Sequence, residues 1–148
     1  MTLLQVIDTI ERVAAAQPSV NMIVRNDVFK LNTCPGAQYG AFAWVQGEHS
    51  STPDGQLLRL RFSFIYADRL TDGARNETEV QSVGIATLGN IVRALEDADI
   101  LPEGDVTFNT FNQRFKDECA GVFCGVTLLV PFAGGCSEEF SERAILTI

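Results

Sequence analysis

The sequence holds a single histidine, His49, so any mechanism that needs an imidazole base has one residue to draw on. It stands in "GEHSSTPDG", a run of turn-forming residues that offers poor scaffolding for a general base. Cysteine is sparse too. The four thiols are Cys34, Cys119, Cys124 and Cys136, and none has the two-residue spacing of zinc ribbons or redox motifs. Cys119 and Cys124 are five positions apart. An odd separation puts two side chains on opposite faces of a regular strand, unless a bulge at Gly121 reverses it. Cys34 and Cys136 fall in stretches rich in Pro and Gly. Buried, inert thiols are expected, reduced where the chain is made.

Other absences narrow the field further. The glycines of "GAQYGAFAWVQG" lack both the strand-to-helix context and the Lys-Ser/Thr ending of a phosphate loop. No apolar run approaches the ~18 residues of a membrane span. The start, "MTLLQVIDTIERV", is interrupted by Asp8, Glu11 and Arg12, unlike a secretory signal, so synthesis in the cytoplasm is expected. Basic residues number 11 against 19 acidic, a net charge of −8. Such a chain repels phosphate backbones and is ill suited to gripping nucleic acid, although it could surround it. The carboxylate pairs Glu77/Glu79, Asp117/Glu118 and Glu138/Glu139 read as a helix start, a strand boundary and tail charge. No cofactor or metal is implied.

What is present is globular. Apolar residues make up 46% of the 148 residues, with ten Phe among them. One domain, 1–148, can bury roughly 70% of its unfolded surface at this size. Residues 2 to 16 predict a helix, with Leu3, Ile7, Ile10 and Ala14 at helical spacing and Thr2 and Gln5 spaced as a capping box. Residues 20 to 32 read as extended, with a turn at Asn26-Asp27, and 34 to 38 as a loop. A strand is expected over 39 to 47, then a mobile hairpin tip over 48 to 55. From 57 to 67 alternation is clearest: Leu58, Leu60, Phe62, Phe64 and Tyr66 point one way, Arg59, Arg61 and Ser63 the other. A polar loop, 68 to 79, leads to a second helix over about 77 to 97, with Asn76 and Glu79 again at capping-box spacing. Strands over about 105 to 115 and 120 to 131 follow.

The order α-β-β-β-α-β-β implies an α+β fold, an antiparallel sheet of about five strands with two amphipathic helices on one face. The other sheet face then needs water or another subunit. Candidate interface residues are Trp44, His49, Arg59, Arg61, Arg69 and Arg75. Trp and Arg are favoured contact anchors, though a Trp in an aromatic strand packs equally well in a core.

The stretches "VNMIVRNDVFKLN", "YGAFAWVQGEHS", "FSFIYADRLTDGARNETEVQSVGIATLGNIV" and "FNQRFKDECAGVFCGVTLLVP" resemble a family of small virion proteins of tailed bacteriophages and prophages of Bacteroides-type hosts, including crAss-like phages. The resemblance covers residues 1 to 132, and the element order is similar to that of the tail-terminator fold. It implies a structural protein of the head–tail connector or tail end, located in the virion. It further implies a closed homo-oligomeric ring of about six or twelve copies. Portal or neck and tail proteins would be its neighbours, and DNA would pass through the lumen without specific binding. It brings no catalytic residues. Two other classes remain open on the residues: a small hydrolase or thiol enzyme built on His49 or a cysteine, and a monomeric binding module for assembly. In the structural reading, "DECAGVFCGV" is a turn feeding a buried strand, with Ala120 and Gly121 allowing close backbone approach.

Overall fold

A computed structural model describes residues 1–26, 40–70, 76–114 and 118–132, and for Gln113, Arg114 and Glu118 the backbone alone. The loop at 34 to 38, the end of the extended stretch at 27 to 32, Cys34, Arg75, Asp117, Cys136 and the C-terminal tail lie outside the described residues.

Helix α1 spans Leu3–Ala15. Its capping box forms as the spacing predicts. The Gln5 amide donates to the Thr2 hydroxyl, and the Thr2 amide donates to the Gln5 side-chain oxygen. Each satisfies a first-turn donor that the helix itself leaves orphaned. Helix α2 spans Glu77–Asp97, and its Val80, Gly84, Leu88, Ile91 and Leu95 form one buried stripe. Here the expected box does not form. Asn76 makes no cap and instead donates its side-chain amide to the Arg69 carbonyl, tying the helix start to the preceding strand.

Among the described residues, seven strands form one sheet: β1 (Met22–Arg25), β2 (Ala41–Gln46), β3 (Ser50–Ser51), β4 (Leu57–Arg69), β5 (Leu101–Pro102), β6 (Phe108–Arg114) and β7 (Glu118–Pro131). Their spatial order is β1-β2-β4-β7-β5, with β3 also pairing β4 and β6 also pairing β7. The expected α+β class holds, and two helices stand among the described residues. The expected wholly antiparallel sheet of about five strands does not hold. β3 and β5 are two-residue pairings inside loops, too short to leave a periodic signal. β1 runs parallel to β2. The chain between Arg25 and Ala41 is long enough for the return crossing that a parallel pair requires.

β4 and β7 are the sheet's spine, paired antiparallel from Leu57↔Pro131 to Arg69↔Cys119 without a break in register. Their alternation sorts the residues as the pattern of β4 predicts. Leu60, Phe62, Phe64 and Tyr66, with Val122, Cys124, Val126 and Leu128 opposite, join the buried stripes of both helices in one core. At ~25 cal/mol per Å² removed from water, this face dominates the favourable side of folding. Two of the glycines let β7 approach its neighbours closely. A Cβ on Gly84 would lie 2.8 Å from Val122 Cγ2, and one on Gly121 would lie 1.9 Å from the Tyr66 carbonyl oxygen.

Candidate assembly face

The second face of the sheet carries the odd-numbered residues of β4 and β7. It divides in two. Towards β1, a small apolar cluster of Val24, Ala41, Ala43 and Ile65 is buried, with Met22, Val45 and Phe111 packed against it. Beyond Ile65 the face opens. Phe123, opposite Ile65, is 42% exposed, and Leu101, opposite Leu129, is 53% exposed. Between them, Arg59, Arg61 and Ser63 of β4 face Leu129, Thr127 and Gly125 of β7. A Cβ on Gly125 would meet nothing within 4 Å, so bare backbone floors a shallow groove of about 280 Å³. Gly47, Arg61, Ser63, Gly125 and Thr127 line it.

The two arginines that sequence alternation points at this face are there. Arg59 donates from Nε to Glu103 at 3.0 Å. Arg61 reaches the Glu48 carbonyl with Nη1 at 2.9 Å. Arg69, on the same alternation, continues the face at the far end of β4, where it pairs with Cys119 in register. Arg75 lies outside the described residues.

Trp44 is on the other side. It pairs with Phe64 in register, is only 5% exposed, and packs edge-on to Phe62 beneath α1. Its indole N–H donates to Glu11 of α1 at 3.0 Å, and the same carboxylate accepts from Arg25. It is a core residue with its polar edge satisfied, and not a surface anchor.

His49 is also placed differently from expectation. It is half-buried, its ring 5.7 Å from that of Phe62. Nδ1 accepts from the Arg61 backbone N–H at 3.1 Å, and Nε2 lies 2.9 Å from Gln46 Oε1. An amide can only donate, so Nδ1 is the bare nitrogen and Nε2–H donates to Gln46. Burial, then the Arg61 charge, lowers the histidine below its ordinary 6.5. The hairpin tip beyond it is also bonded, with Asp54 accepting from Thr52 and from the Gln56 amide.

The two described thiols sit as their spacing predicts. Cys124 faces the helices and Cys119 the opposite side, both buried, and no bulge at Gly121 interrupts the register. Burial pushes the Cys124 thiol up to about 12. Among the described residues, no group of three or more His, Cys, Asp or Glu side chains is arranged to hold a metal ion. No described helix is long and apolar enough to cross a membrane. No protein-family model and no curated protein matches the chain. The groove was missed by sequence reasoning. Its signal in the sequence was Gly125, which leaves a gap in the outward row of β7.

Proposed function

We propose that this chain is a structural virion protein that forms a ring at the head–tail connector or tail end of a tailed phage. In this role it joins capsid and portal to the tail and lets DNA through. The observation that carries the reading is the one-sided sheet. The two described helices cover one face, while β4 and β7 leave the half of the other beyond Ile65 open, with Phe123 and Leu101 half out and a groove beside Arg61. Large exposed apolar side chains beside arginine suit a contact surface. A sheet face that meets a different surface on the next copy makes a head-to-tail interface, which closes into a ring under the right rotation. The surplus of acidic residues suits a lumen that DNA must traverse without sticking.

Two of the described side chains that an enzyme could use, His49 and Cys124, have structural surroundings. Both nitrogens of His49 are engaged, and the Cys124 thiol is buried and held far from its reactive thiolate form.

The test is to locate the chain in purified phage by immunogold labelling and negative stain. The reading expects a closed ring of label at the neck or tail end. Absence from the particle, or a single copy in it, overturns the reading.

A further inference from the structure

β2 and β4 pair with Gln46 opposite Phe62, yet β3 and β4 pair with Ser50 opposite Arg59. Three residues, 47 to 49, therefore face two, 60 and 61. This is a β-bulge, and a bulge leaves a ladder group without its backbone partner. The Gly47 amide still donates to the Arg61 carbonyl at 2.7 Å. The Arg61 amide turns instead to a side chain, Nδ1 of His49. The imidazole thus stands in for a backbone carbonyl, braced by the tilted Phe62 ring beside it and Gln46 at its far nitrogen.

We propose that His49 is a proton-operated latch on this bulge, closed when the imidazole is neutral and opened when it is protonated. A proton on Nδ1 converts the acceptor into a donor aimed at another donor. The Arg61 amide then loses its partner, and the hairpin from Gly47 to Leu57 loses a tie at its base. The charged group facing the ring from β4 is Arg61, which also opposes protonation, and the adjacent charge in its own loop is Glu48. Phe62 and Gln46, the other groups against the ring, carry no charge. Gly47 and Arg61 line the groove of the open sheet face, and Arg61 is tethered to the Glu48 carbonyl within the same bulge. Opening the latch therefore reshapes the surface on which assembly is proposed to depend. As regulation of that surface, the inference rests on the ring reading. As a property of the bulge, it does not.

The experiment follows the Arg61 amide by ¹⁵N NMR and hydrogen exchange, with protection corrected for the intrinsic pH dependence of exchange. From about pH 7.5 to about pH 5, the range of histidine titration, protection should fall about three- to tenfold, the loss expected for one hydrogen bond. The amide shift should follow the His49 ring titration. His49→Asn keeps an acceptor that does not titrate, and its Arg61 amide should stay protected across the range. His49→Phe keeps the ring on Phe62 without the acceptor, and the amide should be unprotected throughout. An amide indifferent to the titration, or still protected in His49→Phe, overturns the latch. Because the readout is one amide of the isolated chain, such a failure leaves the ring reading standing, and absence of the chain from the virion leaves the latch standing.

Discussion

Gly121 sits where β7 crosses the backbone of Tyr66 with no room for a methyl group. Gly121→Ala forces backbone to move, and overpacking of this kind costs about 3 kcal/mol. Urea unfolding should show the loss as a lower midpoint at unchanged slope. Cys124 and Tyr66 make the residue scale visible in pH. Burial raises both, each to about 12, from ordinary values of 9.0 and 10.0. The folded state therefore holds protons that the unfolded chain gives up first. Their contribution is intact below pH 9 and is lost as pH rises from there towards about 12. A chemical-denaturation series across that range should show stability falling with pH. At neutral pH Cys124 should resist alkylation until the chain unfolds, as mass spectrometry of the modified peptides would show.

At the scale of elements, α2 ends in a motif that needs a residue in the left-handed region. The Ile100 amide donates to the Leu95 carbonyl and the Asp99 amide to that of Glu96, with Asp99 at φ 63° and Ile100 buried. Glycine is the usual occupant. Asp99→Gly relieves the strain at some cost in chain entropy, and should stabilise by about 0.5 kcal/mol, read as a small rise in Tm. Element boundaries were most legible where such local chemistry marks them. The stripe of α2 and the alternation of β4 each follow from one uninterrupted periodicity, so 77 to 97 and the two faces of β4 can be read directly. The two-residue strands β3 and β5 carry no period, and the parallel pairing of β1 depends on a distant partner. His49 reads as a loop residue because its neighbours are turn formers. Its role arises from the register offset between two strand pairings, which no local pattern encodes. Trp44 reads equally as anchor or core, and the contact with Glu11 decides it.

At the scale of the molecule, the open half of the sheet was foreseeable from Arg59 and Arg61, whereas its groove required the placement of Gly125 against Ser63. On the proposed reading the acidic surplus keeps DNA from adhering in the lumen. Replacing exposed Asp8, Glu79 and Asp97 with Lys together should slow genome ejection, measured as the rate of DNA release from purified particles. The most direct test of assembly through the sheet face is the copy number of Phe123→Asp in virions. Phe123 is exposed, so the variant should remain folded by circular dichroism. The account predicts that it is lost from particles that incorporate the wild-type chain in many copies. Incorporation at the wild-type copy number would contradict it.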